Sequence, residues 1–318
     1  MVYNCIVCNE NNVKEVFEVE ELQLGIGDKF NYQLCQNCSS LQIQNPPQDL
    51  SKYYPNEAYY SFNLDLKINN KADALRRIKA SYLLFNQNKF LGKLLSIGYK
   101  MPDYLEWMKY SKTKFDDSIL DIGTGNGSLL ARLFNVGFTN LTGIDPFINE
   151  SKNYGAINIE KKSVFEVERK YKTIMLHHAL EHMFEPLKVM QKVYDILEPK
   201  GSCLVRIPIM GNYGWQHYKT FWCGVDAPRH IFIPSEKGLR ELVEAAGFTI
   251  EKFVYDSSYY VVWCSEQYQK HIPLHDARSY NVNKNAFSKA EISKFKTDIS
   301  NANENNNGDT AAVYLRKH

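Results

Sequence analysis

The sequence predicts an α/β fold in which helices cover both faces of a mostly parallel sheet. From residue 118 onward, short apolar runs alternate with segments of helical periodicity, which is typical of βαβ units. The first of these runs leads directly into a glycine-rich turn. Hydrophobic residues make up 44% of the 318 residues and charged residues 23%. This is ordinary globular usage, and it excludes a disordered or collagen-like chain.

The predicted elements of this region follow in order along the chain. Each strand is a short buried run, and each helix shows an apolar face at helical spacing. The predicted strands cover residues 118–122, 141–145, 173–176, 202–207, 249–255 and 310–315, and the predicted helices cover 128–134, 186–197 and 236–246. Between residues 145 and 173 the sequence marks a further strand only poorly.

Cysteine spacing predicts a separate small module at the beginning of the chain. Four of the seven cysteines form two C-x-x-C pairs, and each pair can present two thiolates to one metal ion. A redox dithiol would need only one pair in a thioredoxin-like setting, which this stretch lacks. We therefore predict a zinc-binding module over residues 1–45. Its expected zinc ligands are Cys5, Cys8, Cys35 and Cys38.

A connector separates this module from the sheet region. Residues 46–114 begin with an aromatic-rich stretch and continue with apolar positions at helical spacing, which predicts a helical lid segment. Residues 115–318 then form the main domain. No run approaches 18 apolar residues, and the first residues lack a signal-peptide pattern, so we expect no membrane span and a cytoplasmic location. The pattern leaves the oligomeric state open.

The glycine-rich turn carries the strongest chemical signal. Residues 119–127 read Ile-Leu-Asp-Ile-Gly-Thr-Gly-Asn-Gly, so a strand runs into a turn whose glycines let a ligand approach the backbone. Asp121 precedes the turn, where a carboxylate would repel the pyrophosphate of a dinucleotide but suits a ligand with an ammonium group. Asp145 ends the next strand, where a carboxylate can bind ribose hydroxyls.

These residues resemble motifs I and II of the class I S-adenosylmethionine-dependent methyltransferases. The resemblance spans about residues 115–255 and implies a Rossmann-like seven-stranded sheet with antiparallel closing strands. It also implies a set of contacts to S-adenosylmethionine. These are Asp121, Gly123 and His177 at the methionine end, Gly125 and Gly127 along the turn, Asp145 at the ribose, and Ser163 with Val164 at the adenine.

Two histidines are candidates for a general base. His178 follows a predicted strand in the stretch Leu-His-His-Ala-Leu-Glu-His and could face the methyl acceptor. His230 lies in the loop of residues 226–235, where this fold inserts substrate-binding residues. Imidazole titrates near neutrality and can take a proton from a hydroxyl or carbon acceptor. Beside it, Arg229 could hold an acceptor carboxylate or diphosphate as a bidentate fork.

A zinc module followed by this core is similar to bacterial methyltransferases of sugar and surface-glycan pathways. In the related ketosugar C-methyltransferases the loop reads His-Glu-His and the last histidine is the base. Here His230 matches that base, whereas Arg229 replaces the glutamate. The resemblance implies a small-molecule or glycan acceptor, such as a sugar or sugar nucleotide in polysaccharide biosynthesis. The aromatic rings of Tyr59 and Tyr60 could give it flat apolar faces.

Two other classes of function stay open. A zinc-containing RNA methyltransferase is one, because some ribosomal-RNA enzymes also begin with a cysteine module. The net charge of +2, from 38 Lys+Arg and 36 Asp+Glu, gives no electrostatic case for nucleic acid as a partner. A non-catalytic zinc-dependent interaction protein is the other, and the intact glycine turn and Asp145 disfavour it.

Overall fold

The computed structural model describes residues 4–54 and 74–317 of the chain, and within these ranges it contains two sheets. The first elements are β1 (Val13–Glu20), β2 (Lys29–Cys35), β3 (Leu41–Ile43), α1 (Ala74–Phe85), α2 (Lys89–Leu95) and α3 (Asp103–Ser111). The central elements are β4 (Ile119–Ile122), α4 (Ser128–Asn135), β5 (Leu141–Ile144), β6 (Lys152–Asn153), β7 (Ile157–Glu160), β8 (Tyr171–His177), α5 (Pro186–Ile196) and β9 (Leu197–Pro208). The last elements are α6 (Tyr213–Tyr218), β10 (Phe232–Ile233), α7 (Glu236–Ala245), β11 (Thr249–Tyr255), α8 (Tyr260–Tyr268), α9 (Lys289–Glu304) and β12 (Thr310–Arg316).

The larger sheet confirms the predicted Rossmann-like architecture. Its strand order is β11-β12-β9-β8-β4-β5-β7-β6. Strands β4, β5, β7, β8 and β9 are parallel, and β12 lies antiparallel between β9 and β11. These strands are the expected seven, and the two-residue β6 pairs with β7 at the edge. The strand that the sequence marked poorly is β7, which has only four residues.

Helices cover both faces of this sheet. On one face, α1, α3 and α4 bury apolar side chains such as Ala80, Leu105 and Leu130 against the strands. On the other face, α5 and α7 pack residues such as Val193 and Leu239 into a second core. Burial of the middle of α1 and α3 makes them part of the fold, and movement of this segment as a lid stays a prediction. Within the ranges that the structure covers, no helix has the length and apolarity needed to cross a membrane.

The differences from the predicted elements have local causes. Strand β9 begins at Leu197, inside the predicted helix, and its pairing with β8 slips after Tyr171, so residues 198–201 stand out of register. Helix α8 was not predicted because seven of its nine residues are buried, which removes the polar face on which helical periodicity depends.

The smaller sheet crosses the predicted boundary of the zinc-binding module. Its order is β1-β2-β3-β10, and the first three strands lie within residues 1–45. Strand β10, however, comes from the loop of residues 226–235, and it pairs antiparallel with β3. The module is therefore completed by a segment from the main domain.

Candidate active site

The glycine-rich turn lies at the carboxyl end of β4. Gly123, Gly125 and Gly127 have φ angles of 75°, 52° and 76°, in the left-handed region that favours glycine. A Cβ at Gly123 would lie 2.7 Å from the Cβ of Ala179, so a larger residue would also collide there. The Gly123 amide donates to the carbonyl of Ile144 and fixes the turn against β5. The turn therefore requires glycine and is fixed against β5.

Two buried carboxylates face this turn. Asp145 Oδ2 accepts a hydrogen bond from the Gly125 amide at 3.1 Å, and Oδ1 accepts one from the Phe147 amide at 2.9 Å. Asp121 is 3% exposed, and its Oδ1 finds no hydrogen-bond partner in the described part of the chain. A buried carboxylate oxygen without a partner is costly, and a ligand ammonium group would satisfy it. This donor set fits S-adenosylmethionine, whose methionine end carries such a group.

His177 ends β8 beside the turn, and both of its ring nitrogens are buried without a hydrogen-bond partner among the described residues. The Trp107 ring of α3 packs against the His177 ring with centroids 4.3 Å apart. Burial, followed by the charges of Arg206 and His178, lowers the pKa of His177 well below its usual value, so the ring is neutral. Its predicted contact with the methionine end of the cofactor stays a prediction.

The residues predicted at the adenine lie just after β7. The Ser163 hydroxyl accepts a hydrogen bond from the Phe165 amide and caps a short helical turn, Val164–Glu166. Val164 is buried in the core. These contacts fix the local backbone, and the adenine contact of Ser163 and Val164 stays a prediction.

A second cluster lies at the same edge of the sheet. Glu181, His182 and His230 each bring one potential ligand atom within 4.8 Å of the others. His230 Nδ1 lies 2.9 Å from the Gly224 carbonyl oxygen, and His182 Nδ1 lies 2.9 Å from the Arg229 carbonyl oxygen. Because a carbonyl oxygen only accepts, Nδ1 of each neutral ring is assigned the proton, which leaves Nε2 as an acceptor.

The carboxylates beside His230 lie farther from its ring than two ligands of one tetrahedral zinc ion would lie from each other. His230 Nε2 lies 4.0 Å from Glu181 Oε1 and 3.8 Å from Asp226 Oδ2. Nitrogen and oxygen ligands of a tetrahedral zinc ion, with bonds near ~2.1 Å, would lie about 3.4 Å apart. Although burial raises the pKa of Glu181, the hydrogen bond from His178 and the nearby histidines lower it below its usual value. The ionised Glu181 can therefore stabilise an imidazolium at His230.

The contacts of His178 do not favour its predicted role as a base, which stays a prediction. His178 Nε2 lies 2.5 Å from Arg206 Nη1, and His178 Nδ1 lies 3.1 Å from Glu181 Oε1. Because a guanidinium group only donates, it occupies the lone pair that a base needs. His178 instead donates through Nδ1 and orients the carboxylate of Glu181.

The contacts of Arg229 do not favour its predicted contact with the acceptor either, and that contact also stays a prediction. Arg229 is 1% exposed, and its Nη2 lies 2.9 Å from Glu21 Oε1 and 2.7 Å from Asp226 Oδ1. Its Nε also donates to Asp226, and Nη1 donates to the Tyr53 carbonyl. The guanidinium group is thus bound inside the protein by groups from three parts of the chain.

Tyr59 and Tyr60, predicted to contact the acceptor, lie outside the described residues. Two further side chains near the histidine cluster were not predicted from the sequence. Tyr54 stacks on Phe147 and lies 3.3 Å, hydroxyl oxygen to Nδ1, from His182. Asp226 Oδ2 lies 3.8 Å from His230 Nε2. Its position four residues before His230 could have indicated this contact from the sequence.

The four N-terminal cysteines converge as the sequence predicts. The sulfur atoms of Cys5 and Cys38 lie 3.6 Å apart, as do those of Cys8 and Cys35, and all four lie within 4.8 Å of one another. In a tetrahedral zinc site with Zn–S bonds near 2.3 Å, sulfur atoms lie about 3.8 Å apart. The donor set and its spacing therefore fit a structural zinc ion.

The sheet order, the glycine turn and the paired carboxylates define a methyltransferase that uses S-adenosylmethionine. The chain belongs to the methyltransferase domain family, whose model, described as "Methyltransferase domain", matches residues 79–252. This match covers the helices before the sheet and most of the sheet itself.

Similar proteins include two methyltransferases named for different acceptors. The chain is 41% identical over 70 residues to EEF1A lysine methyltransferase 2 of Homo sapiens, covering 22% of this chain and 29% of that protein. It is 24% identical over 145 residues to tRNA U34 carboxymethyltransferase of Campylobacter curvus (strain 525.92), covering 41% of this chain and 48% of that protein. The chain thus spans less than half the length of either protein. Mycolic acid cyclopropane synthase CmaA1, a solved structure, is 14% identical over 74% of this chain and 88% of its own, with a TM-score of 0.46.

The protonation of Asp121 makes stability depend on pH. Burial raises the pKa of Asp121 from 3.8 to about 7, and the Asp145 carboxylate adds to the rise. Between pH about 4 and about 7 the folded state therefore holds a proton that the unfolded state has released. The free energy of unfolding falls as pH rises through this range. Without cofactor, the free energy of unfolding of the parent, relative to Asp121→Asn, should fall by about 2–3 kcal/mol between pH 5 and 8.

Urea unfolding of both proteins at several pH values measures this difference. The Asn side chain keeps the shape of Asp and does not titrate, so the other titrating groups cancel in the comparison. A difference that stays constant across the pH range would contradict a protonated Asp121.

Proposed function

We propose that this enzyme transfers a methyl group from S-adenosylmethionine to a hydroxyl group of a small polar acceptor, with His230 as the general base. A sugar or sugar nucleotide is the acceptor class we favour. The observation that carries the proposal is the state of the His230 ring. Its Nδ1 proton is held by the Gly224 carbonyl, so Nε2 is free to accept a proton beside two carboxylates.

The arrangement supports a simple division of tasks. When bound, S-adenosylmethionine would supply an electrophilic methyl group, and its in-line transfer to an acceptor oxygen would leave S-adenosylhomocysteine as a neutral thioether. Much of the rate of such a reaction comes from holding the acceptor in the attacking geometry. His230 removes the proton that the acceptor loses, and Glu181 and Asp226 stabilise the resulting imidazolium.

Cofactor binding rests on the residues around the glycine turn. We assign the ribose to Asp145, since each of its oxygens keeps one acceptor position beyond its amide hydrogen bond. Asp121 and His177 take the methionine end, where their unpartnered buried atoms lie. Ser163 and Val164 stand beside the adenine.

A protein lysine is the second candidate acceptor, because one similar protein is named as a lysine methyltransferase. An amine that arrives protonated also needs a base, so His230 would serve either acceptor. A tRNA acceptor, suggested by the name of the other relative, has less support. The cations that border one cavity on the described surface are Lys112, Lys172, Lys200, Arg316 and Lys317, and they lie at the amino edge of the sheet, opposite His230.

A methyl-transfer screen separates these acceptors. Purified protein is given S-adenosylmethionine labelled in the methyl group, together with sugar nucleotides, a lysine-rich protein or tRNA. Label in the sugar nucleotides supports the proposal. Label only in protein or tRNA would replace the acceptor class and leave the methyltransferase activity standing.

We predict that His230→Ala lowers the turnover rate by about 10²–10⁴-fold, the usual contribution of general acid–base catalysis. The affinity for S-adenosylmethionine should stay within about twofold, because His230 lies on the acceptor side. Steady-state kinetics and calorimetry measure both quantities.

His275→Ala serves as the matched control, because His275 is an exposed histidine outside the site. It should keep the parent's rate. A His230→Ala enzyme that turns over normally but needs more acceptor would make His230 a binding residue instead of the base.

We predict that Asp145→Ala weakens the binding of S-adenosylmethionine. Breaking charge-assisted hydrogen bonds to the ribose costs about 1.5–3 kcal/mol, which corresponds to a roughly tenfold or larger rise in Kd. Asp116→Ala removes an exposed carboxylate at the other edge of the sheet and should leave Kd unchanged. Equal affinity of the Asp145→Ala protein and the parent, measured by calorimetry, would rule out the ribose assignment.

We also propose that the four-cysteine site binds one structural zinc ion per chain. Purified parent protein should contain near-stoichiometric zinc, and a Cys35→Ser, Cys38→Ser double variant should lose it because two thiolates remain. Cys203→Ala removes a cysteine buried in the larger sheet and should keep the metal. Metal analysis of reduced protein makes the measurement, and parent protein without zinc would refute the site.

A further inference from the structure

The loop of residues 226–235, here called the acceptor loop, is attached to the zinc-binding module through its backbone. In β10, Phe232 pairs with Gln42, and Ile233 pairs with Leu41 of β3. The Ile43 amide donates to the Ile231 carbonyl at 3.0 Å. Phe232 and Ile233, which follow His230 and Ile231, are thus fixed in the register of the smaller sheet.

The backbone of His230 also forms a hydrogen bond with the module. The Tyr32 hydroxyl donates to the His230 carbonyl at 2.8 Å. Tyr32 lies on β2 and is fully buried, so water cannot replace this hydrogen bond. The backbone of the proposed base therefore rests on a side chain from the other end of the chain.

The residue before His230 carries the strongest of these contacts. The Arg229 guanidinium bridges Glu21 of the module and Asp226 of the acceptor loop. Glu21 is fully buried and also accepts hydrogen bonds from the Leu24 and Ile26 amides, which fixes its carboxylate. A buried ion pair with these additional hydrogen bonds resists separation, because either charge left alone would be very costly.

The end of the acceptor loop forms hydrogen bonds with residues 38–40 of the module, here called the knuckle. The Ser235 hydroxyl donates to the Cys38 carbonyl, and the Ser235 amide donates to Ser40 Oγ at 3.2 Å. The same hydroxyl accepts a hydrogen bond from the Gly238 amide and caps α7. A Cβ at Gly238 would lie 2.3 Å from Ser40 Oγ, so the knuckle and the helix start are in direct contact.

The loop in turn supports the rest of the histidine cluster. The Ile231 amide donates to the Glu181 carbonyl at 2.8 Å, and the Arg229 carbonyl accepts from His182 Nδ1. A shift of the acceptor loop would therefore move His230, His182 and Glu181 relative to one another.

We propose that the zinc-binding module is part of the catalytic machinery: Tyr32, Arg229 and the Cys38–Ser40 knuckle are positioning elements that hold His230 at the acceptor. Binding of S-adenosylmethionine depends on the glycine turn and is independent of the module. This inference rests on the proposed role of His230 as the base.

Tyr32→Phe tests the inference with a minimal change. The variant keeps the buried ring and removes only the hydrogen bond to the His230 carbonyl. We expect the turnover rate to fall roughly 10- to 100-fold, as small displacements of a catalytic group do. The Kd for S-adenosylmethionine should stay within about twofold of the parent.

Tyr218→Phe is the matched control. Tyr218 is another buried tyrosine whose hydroxyl makes a hydrogen bond, to Glu266 Oε1 at 3.0 Å, away from the acceptor loop. It should keep the parent's turnover rate. Equal rates for Tyr32→Phe and Tyr218→Phe would overturn the inference.

Hydrogen exchange supplies a readout that does not depend on turnover. In the Cys35→Ser, Cys38→Ser double variant we expect faster exchange of the Ile231 and Ser235 amides, and unchanged exchange of the Gly123 amide. Unchanged exchange in the acceptor loop would contradict the inference. If the double variant fails to fold, the Tyr32→Phe comparison decides.

The inference and the proposed function can fail separately. A large loss of turnover in His230→Ala, together with full activity of Tyr32→Phe, leaves the base in place and removes the positioning role. Full turnover of His230→Ala removes both.

Discussion

The buried ion cluster of Arg229 with Glu21 and Asp226 is the interaction on which the acceptor side of this enzyme depends. Burial alone would raise the pKa of Asp226, but Arg229 holds it below its usual value, so the carboxylate stays ionised. Breaking a buried pair by removing one partner typically costs 3–5 kcal/mol. Because Glu21 follows β1 and the other two residues lie in the acceptor loop, this free energy joins the module to the loop that carries His230.

The cofactor side is built differently. Its groups stand at the carboxyl ends of β4, β5 and β8, where adjacent parallel strands bring their last residues together. Asp121, Asp145 and His177 therefore depend on the larger sheet and the elements next to it, and none of the contacts described for them involves the zinc-binding module.

The sequence predicts the strand, turn and helix on the proposed cofactor side because their signals are local. A buried strand, a glycine turn and a helix occupy consecutive residues, and their pattern is visible without knowledge of the fold. The acceptor side is different: Glu21 lies 208 residues before Arg229, and no spacing rule connects them. Likewise, the lone pair of His178 is blocked by Arg206, which lies on the adjacent strand β9. Residue type alone suggested that Arg229 binds substrate and that His178 is a second base, and only tertiary contacts argue against these roles.

Strand pairing between β3 and β10 also has a consequence for how such chains can diverge. A recombination event that replaced residues 1–45 with those of a relative would replace Glu21, Tyr32 and Ser40 with that relative's residues at these positions. The resident Arg229 and Ser235 would then face partners they were not selected with. We therefore expect residues 1–45 and residues 226–235 to change together, although most of the chain separates them in the gene.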